Sequence, residues 1–247
     1  MPKTHSSRRG DIMPRDSFSQ AMSGTTGQPM KEGLLPLFPL EVVLMPEAPL
    51  PLHIFEDRYK EMIGVCLKAG EDPSRKEDFG VVLAKGQEVS RLGCSARIVN
   101  LTRTYADGRL DIFTVGSRRF EILVVNQEKS FLRGGVEFFD DDPGQDLPAE
   151  TDAARAIELF RQVMQRIRNS PDIPIHLQRP YRYLSFRLAA PLPLDLDFKQ
   201  HLLGVRNEPE RVIEVIQAFE ALLPQLDRAE HAREKAGGNG DVGGAHL

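Results

Sequence analysis

Tryptophan is absent from the 247 residues, and cysteine occurs only twice, at Cys66 and Cys94. Two cysteines allow at most one disulfide. That is too few for the disulfide framework of a small secreted protein, and it fits a reducing compartment. We therefore expect a cytoplasmic protein. The sequence also contains no C-x-x-C pair and no H-E-x-x-H run, so it lacks the common local signatures of a zinc site.

A long apolar run and a strong excess of either charge are also missing. Prolines and two glutamates interrupt the most apolar stretch, residues 34–52, whereas a membrane-spanning helix needs roughly 20 consecutive apolar residues. The formal net charge of −4 does not favour nucleic acid or an acidic membrane surface as a partner. Residues 1–30 have no apolar centre of the signal-peptide kind. We expect no association with membranes.

The sequence signatures of common enzymes are not found either. There is no G-x-x-x-x-G-K-[ST] loop for a nucleotide and no G-x-S-x-G turn for a serine nucleophile. A metal site built from His53, His176 and Cys66 stays open, although their spacing does not indicate one. We interpret His53 as a partly buried side chain that bonds a backbone carbonyl, with a pH switch or a ligand as the alternative. We expect no catalytic residue, no cofactor and no metal.

Changes in composition along the chain predict its organisation. Residues 1–32 are rich in serine, glycine and arginine and are predicted to be a disordered tail, and residues 229–247 are glycine-rich and predicted to be a flexible tail. Strand patterns fill residues 33–142, and helical patterns fill residues 143–228. Strands followed by helices predict an α+β fold with two subdomains.

A proline-rich segment opens the ordered part. Its five prolines are Pro36, Pro39, Pro46, Pro49 and Pro51. They alternate with leucine and valine residues that favour burial. Proline has no N–H to donate to a strand ladder, so it is confined to sheet edges, strand starts and bulges. We predict that this segment is edge strand and irregular crossover, not central strand.

The next segment is predicted to be a helix that begins near Asp57 and is capped by Gly70. Its apolar residues follow the i, i+3, i+4, i+7, i+8 spacing of one helical face. They are Tyr59, Met62, Ile63, Cys66 and Leu67.

From Phe79 onward the pattern changes to strands. A short buried strand comes first, residues 94–125 resemble a three-stranded meander, and residues 131–139 form a further strand with a bulge at Gly134-Gly135. The dipeptide Asp107-Gly108 predicts a two-residue hairpin turn with Thr104 opposite Asp111 and Ala106 opposite Arg109. A second and weaker turn signal is Gly116-Ser117.

Four helices are predicted after an acidic linker that contains Asp140, Asp141 and Asp142. The first helix ends before Asn169, and the second is stopped by Pro191. The apolar face of the first comprises Ala153, Ala156, Ile157, Phe160, Val163, Met164 and Ile167.

The third helix has Asp195 as its N-cap and stops at Gly204. Asn207 and Glu210 form an asparagine variant of the capping box that opens the fourth. Pro224 is predicted to end or kink this last helix.

Positive charge concentrates in the strand region. Residues 79–135 carry nine lysines and arginines against five acids, a local balance of 9 − 5 = +4. One interpretation is an RNA-binding sheet, and the other is a solvated sheet face with cross-strand ion pairs. Only Tyr105 and Phe113 lie nearby as aromatic residues for base stacking. RNA binding therefore stays an alternative.

The proline-rich segment and the helix after it resemble the opening of the substrate-binding (N-terminal) domain of Lon proteases. The shared features are the strand "LPLFPL", the turn "VLMP" and the helix start "PLHIFEDRY". Further similar blocks follow in the same order: "FGVVL" from Phe79, "ARIV" from Ala96, "DGRLDIFTVGSRRFEI" from Asp107 and "YLSFRLAAPLPLDLDFKQHLL" from Tyr183. The resemblance covers about residues 33–226.

This resemblance implies a β-rich, PUA-like pseudo-barrel followed by a helical bundle, and a protein that recognises polypeptides without cutting them. The ATPase and peptidase modules of Lon do not appear in the sequence, which therefore resembles a stand-alone substrate-binding domain. The family is also similar to cereblon, whose partner domain holds zinc through cysteines. Without a C-x-x-C pair, no zinc site is expected here.

A peptide groove is the functional site that this reasoning predicts. An edge strand with unpaired backbone groups can add an extended peptide, and apolar side chains beside it can line a groove. The alternative is that these side chains belong to the core. The candidates are Leu37, Phe38, Leu50, Ile54 and Phe55. We predict non-catalytic binding of unfolded or exposed polypeptide segments or of a partner protein such as a protease or chaperone. RNA binding is the alternative, and an undetected enzyme is a third option.

Overall fold

Five strands close into a barrel. The computed structural model describes residues 12–14, 33–69, 78–86, 88–168, 177 and 179–238, with side chains for residues 33–68, 78–86, 88–168, 177 and 179–232. The sheet order is β1-β5-β4-β2-β7-β6-β3, and a further pairing of β5 with β6 closes the ring. The strands are β1 (Ile12–Pro14), β2 (Leu35–Leu40), β3 (Pro49–Ile54), β4 (Phe79–Lys85), β5 (Glu88–Thr104), β6 (Leu110–Asn126) and β7 (Leu132–Phe139).

Helices follow the barrel, apart from one that lies between β3 and β4. They are α1 (Asp57–Ala69), α2 (Glu150–Arg168), α3 (Leu184–Ala189), α4 (Leu196–Gly204) and α5 (Glu208–Gly238). We call the part that ends with β7 the barrel part, and the part from α2 onward the helical part. The predicted α+β class is confirmed. Within the described ranges, we find no helix that combines the length and apolar character that a bilayer crossing requires.

Strand β2 corrects half of the prediction for the proline-rich segment. It lies in the middle of the sheet, with β4 parallel on one side and β7 antiparallel on the other. Residues 35–37 pair with β7 and residues 37–40 pair with β4. Pro36 and Pro39 are an odd number of residues apart, so their nitrogens face opposite neighbours. Because each half of β2 is paired on one side only, a central strand here can hold both prolines.

Strand β3 is the edge strand that the prolines predict. It pairs with β6 alone, from Pro49 opposite Val115 to Ile54 opposite Leu110. The barrel thus has a proline-bearing edge, but it is formed by residues 49–54 and not by residues 35–40.

The hairpin between β5 and β6 has a longer loop than the sequence predicts. The N–H of Gly108 donates to the carbonyl of Tyr105 at 3.0 Å, and Gly108 has a φ of 84°. Only Gly108 takes a positive φ, so the turn is centred on residues 106–107 and a glycine bulge follows. The pairing therefore shifts by one residue, and Arg103, not Thr104, lies opposite Asp111.

No turn occurs at Gly116, which lies inside the continuous strand β6. A Cβ at this position would lie 2.0 Å from the carbonyl oxygen of Met45. The Gly116 N–H donates to the Ala48 carbonyl at 2.9 Å, and the Gly116 carbonyl accepts from the Glu47 N–H at 2.9 Å. Glycine is required here because the crossover between β2 and β3 contacts the strand backbone directly.

The bulge predicted at Gly134-Gly135 lies instead on the opposite strand. Between Ile122 and Val124 the ladder advances two residues on β6 and one on β7, from Val136 to Gly135. The extra residue is therefore in β6. The strand prediction for β7 is confirmed.

The predicted helices are present with two different boundaries. The second is shorter than expected and begins at Leu184, and the last continues through Pro224 to Gly238, into the segment predicted as a flexible tail. Asp195 and Asn207 are N-caps as predicted: the Asp195 side chain accepts from the N–H groups of residues 197 and 198, and Asn207 Oδ1 accepts from the Glu210 N–H at 3.0 Å. Ile167 is exposed and does not belong to the buried face of α2.

Two predicted features fall partly or wholly outside the described residues. Gly70, the predicted cap of α1, lies outside them, and so does most of the predicted N-terminal tail. Within that tail, β1 is described and pairs with β5, with Ile12 opposite Ser90.

The barrel part and the helical part each contribute a buried side chain to the core of the other. Met45, from the crossover, is fully buried among the helices in a cluster that includes Phe160, Phe186 and Phe219. In the other direction, Leu203 at the end of α4 is buried against the barrel and α1. Because each part contributes an apolar side chain to the core of the other, they pack as one unit.

Candidate functional site

The five residues of the predicted groove do not lie together on one surface. Leu37, Phe38 and Ile54 are buried in the barrel core. Phe55 is 60% exposed. Leu50 is partly buried and lines a cleft between the barrel part and the helical part. Of the five, only Leu50 contacts this cleft.

The cleft has a volume of about 690 Å³, which is within the usual range of roughly 300–1,000 Å³ for ligand pockets. One wall is formed by the crossover and the start of β3, and the other by the ends of α2, α3 and α4. Its apolar lining comprises Val42, Val43, Leu44, Ala48, Pro49, Leu50, Ala190, Pro191 and Leu196. Its charged lining comprises Glu47, Arg168, Arg187 and Lys199.

The wall on the barrel side is held by backbone and side-chain contacts of the crossover. Glu47 has a φ of 63°, an unusual conformation for a residue other than glycine, and its N–H donates to Gly116. The Glu47 carboxylate accepts from Nε of Arg187 at 2.5 Å, across the cleft on α3. This ion pair connects the two walls and fixes the crossover against the helices.

The opposite wall contains a cation with no acidic partner. Lys199 Nζ donates to the Ala190 carbonyl at 3.0 Å, and no ion pair joins this ammonium to a carboxylate among the described residues. Burial lowers the pKa of Lys199 from its usual value. Arg168 is exposed at the end of α2 and likewise has no ion pair with a described residue. The lining that the described residues provide is therefore mostly apolar, with an excess of positive charge.

The outer edge of β3 borders this cleft but offers few hydrogen-bond donors. In an antiparallel ladder, hydrogen-bonded pairs alternate with non-hydrogen-bonded pairs. Proline cannot take part in a hydrogen-bonded pair because it has no N–H. Pro49 and Pro51 must therefore direct their backbone groups outward, and His53 shares this side because the alternation has a period of two. Only His53 has an N–H among these three. An added peptide strand would find acceptors there but almost no donors.

A buried ionic cluster lies where the two parts meet. Asp141 accepts from Arg119 Nη2 at 2.6 Å and from both terminal nitrogens of Arg211, at 2.5 and 2.7 Å. Arg211 also contacts the Glu208 carboxylate, which in turn accepts from Ser185 Oγ at 2.7 Å. Strand β6, the segment after β7, and helices α3 and α5 all contribute.

The cluster corrects the interpretation of residues 140–142 as an exposed acidic linker. The side chain of Asp141 is only 4% exposed, and Arg211 is completely buried. Burial by itself would raise the pKa of Asp141, but hydrogen bonds and charges from Arg211 and Arg119 outweigh it and hold this pKa below its usual value. Its buried groups, including the Ser185 hydroxyl, are bonded to one another, and we interpret the cluster as structural.

His53 is exposed, contrary to the prediction of a partly buried side chain. Its Nδ1 lies 2.5 Å from Oδ1 of Asp111, and the hydroxyl of Tyr105 donates to Oδ2 of the same carboxylate at 2.8 Å. The predicted bond to a backbone carbonyl is thus replaced by one to a side chain. Among the described side chains, no group of histidine, cysteine and acidic residues could hold a metal. His176 lies outside the described residues, and Cys66 is buried.

The positive charge of the strand region is largely neutralised. Six of its nine cations form ion pairs: Lys85, Arg91, Arg109, Arg118, Arg119 and Arg133. Three of their partners, Asp140, Asp141 and Asp197, lie outside residues 79–135, which is why the local count of charges overstated the positive field. These ion pairs favour the interpretation as a solvated face with ion pairs, except at Arg119, which is buried with Asp141.

Solved structures with a similar fold come from Lon N-terminal domains. The crystal structure of a Lon N-terminal domain protein from Xanthomonas campestris is 24% identical, with a TM-score of 0.58 over 75% of this chain and 98% of that one. The N-terminal domain of the Mycobacterium avium complex Lon protease is 16% identical, with a TM-score of 0.54 over 76% of this chain and 98% of that one. These similarities support the fold.

Sequence comparison agrees with this. The chain is 22% identical over 224 residues to the Lon protease of Flavobacterium johnsoniae and 23% identical over 213 residues to Lon protease 1 of Hydrogenovibrio crunogenus. These matches include 81% and 79% of this chain but only 26% and 24% of the two proteases. The profile of the ATP-dependent protease La (LON) substrate-binding domain matches residues 34–220. This chain therefore belongs to the LON substrate-binding domain family.

Proposed function

We propose that this protein binds unfolded or exposed polypeptide segments, or a partner protein that presents one, in cytoplasmic protein quality control or proteolysis, and that it performs no chemical step itself. The observation that carries the proposal is the cleft between the barrel part and the helical part. It offers apolar side chains from both walls in a family named for substrate binding. A segment exposed by unfolding carries the apolar side chains that such a surface buries.

Side-chain contacts in the cleft are a better basis for this binding than strand addition at β3. The outer side of Pro49 and Pro51 has no N–H to donate, so a peptide strand would form an incomplete ladder there. Affinity would come from apolar burial, and ordering a flexible segment offsets much of that gain. We expect dissociation constants in roughly the micromolar range.

Binding of casein, which is unfolded, compared with a folded globular protein tests the proposal. Val42, which lines the cleft and is 37% exposed, is replaced in Val42→Asn, and Val99, which is 54% exposed on β5 away from the cleft, is replaced in the matched control Val99→Asn. We expect selective binding of casein, weakened several-fold by Val42→Asn and unchanged by Val99→Asn. Equal binding by all three proteins would place the contact elsewhere, and no binding of casein would contradict the proposal.

RNA binding is the alternative that the same samples test. A protein that neutralises phosphates releases counterions, so its affinity falls steeply as salt rises. Six of the nine cations of the strand region are already in ion pairs, which supports the polypeptide over RNA. If the protein binds RNA with an affinity that falls steeply as salt rises, and does not bind casein, RNA binding replaces the first proposal.

A further inference from the structure

We propose that the cleft selects the C-terminal end of a polypeptide, with the terminal carboxylate at Lys199 and the last apolar side chain against the apolar lining. The inference rests on the proposed binding of polypeptides and adds which part of the chain is recognised. The ammonium of Lys199 donates to the carbonyl of Ala190 at the C-cap of α3, and this bond uses one of its three N–H donors. The arrangement around Lys199 is what points to an anionic ligand.

The charges of the cleft are not balanced. Among the described residues, three cations and one carboxylate line it, and the carboxylate, Glu47, is bonded to Arg187. That pair leaves Lys199 and Arg168 with no acidic partner among the described residues, a balance of 3 − 1 = +2. An anion that enters the cleft would therefore supply a counter-charge without displacing an ion pair of Lys199 with a described residue.

The location of Lys199 makes one of these interactions stronger. Its ammonium group is partly buried and donates to a single carbonyl, that of Ala190, which also lines the cleft. Burial lowers the pKa of Lys199, and no acidic group opposes that effect. A carboxylate beside it would restore the missing counter-charge in surroundings where water screens less than at the surface.

A chain end matches the lining better than an internal acidic residue does. The terminal carboxylate is attached to the Cα that carries the last side chain, so the anion and an apolar group enter the cleft together. Leu196 lies one turn before Lys199 on α4, and it lines the cleft together with Pro191 and Leu50. An internal aspartate would instead bring backbone on both sides of its carboxylate into the cleft.

Three fluorescein-labelled octapeptides test the inference by anisotropy on the full chain. All share an apolar sequence ending in valine. The first has a free carboxylate, the second has a C-terminal amide, and the third is an amide with one internal aspartate. We expect the free carboxylate to bind about tenfold more tightly than either amide, since one charge-assisted hydrogen bond accounts for a factor of this size.

Lys199→Met keeps the apolar stem and removes the charge, and Lys68→Met removes an exposed lysine at the end of α1 as the matched control. We expect Lys199→Met to bind all three peptides like the amide and Lys68→Met to keep the tenfold preference. The comparison of peptides on the unchanged protein stands even if Lys199→Met does not fold.

Three outcomes overturn the inference while leaving the proposed function in place, provided that casein still binds. They are equal binding of carboxylate and amide, equal binding of the terminal carboxylate and the internal aspartate, and a preference that survives in Lys199→Met. Competition by octanoate without any discrimination between the peptides would also overturn it, because the ligand would then be a fatty acid. Failure of both casein and all peptides to bind would contradict the proposed function itself.

Discussion

Arg211 and Asp141 form a two-point contact between α5 and the segment that follows β7, with Nη1 donating to Oδ1 at 2.5 Å and Nη2 to Oδ2 at 2.7 Å. The two residues are 70 positions apart in sequence, and both side chains are buried. Such parallel geometry is the strongest form of an arginine–carboxylate pair. The cluster around it joins β6 and the segment after β7 to α3 and α5.

Asp141→Asn is therefore expected to destabilise the protein strongly. It leaves Arg119 and Arg211 buried without their shared counter-charge, and breaking a buried pair in this way costs about 3–5 kcal/mol in the free energy of unfolding. Asp140→Asn is the matched control, since its pair with Arg118 is more than half exposed and is worth about 1 kcal/mol at most. Urea unfolding followed by circular dichroism measures both. Equal effects would mean that the cluster does not stabilise the fold.

The same carboxylate predicts how stability changes with pH. The folded-state pKa of Asp141 is lowered, so its contribution is fully present above the unfolded-state pKa of about 3.9 and is lost as the pH falls toward the folded-state value. The difference in unfolding free energy between the unchanged protein and Asp141→Asn should therefore be constant from pH 7 to 5. Below about pH 4 it should shrink by about 1.4 kcal/mol per pH unit. A difference that stays constant down to pH 3 would contradict this.

Gly116→Ala tests the contact between β6 and the crossover. The added Cβ would lie 2.0 Å from the Met45 carbonyl oxygen, so either the strand or the crossover must move. We expect a loss of about 1–3 kcal/mol in unfolding free energy, together with weaker binding of casein because the crossover forms one wall of the cleft. Gly64→Ala is the control: its site in α1 is open, and alanine is the better helix former, so stability should rise by up to about 1 kcal/mol. Similar losses in both variants would contradict the steric explanation.

The two cysteines should be unreactive in the folded protein. Both are buried, and burial raises the pKa of the Cys94 thiol to about 12, so almost no thiolate exists at pH 8. We expect no labelling by iodoacetamide at pH 8 in buffer and labelling of both thiols in urea, measured by mass spectrometry. Lys68→Cys, which adds an exposed thiol on α1, should be labelled quickly and shows that the reagent is active. Rapid labelling of Cys94 in the folded protein would show that this part of the barrel opens.

Local signals in the sequence predicted most helices and several strands. The N-caps Asp195 and Asn207 act within three residues of themselves, and the helical face of α1 repeats within two turns, so a single sequence contains all the information needed. The central position of β2 could not be predicted in this way, because its neighbours β4 and β7 are about 40 and 100 residues away. The rule that proline favours edge strands therefore predicted an edge position for β2 as well, whereas only β3 has one.

The cleft and the ionic cluster depend on contacts between residues far apart in sequence. Leu50 was predicted, but the wall facing it includes Arg187, which is bonded to Glu47 across 140 positions. Asp141 resembled its exposed neighbours because its partners, Arg119 and Arg211, lie 22 and 70 positions away. An acidic residue next to two others carries no sequence sign of burial; only its charge partners, once located in the fold, reveal it.

The scarcity of donors along the outer side of β3 has a consequence for the purified protein at high concentration. Free sheet edges are templates on which copies of a chain pair with one another, and natural proteins block them with proline. Pro49 and Pro51 remove two of the three outward N–H groups from this strand, so growth of an intermolecular ladder would stop at its first residues. Strand β3 can thereby remain an open edge without pairing copies of the chain into a ladder.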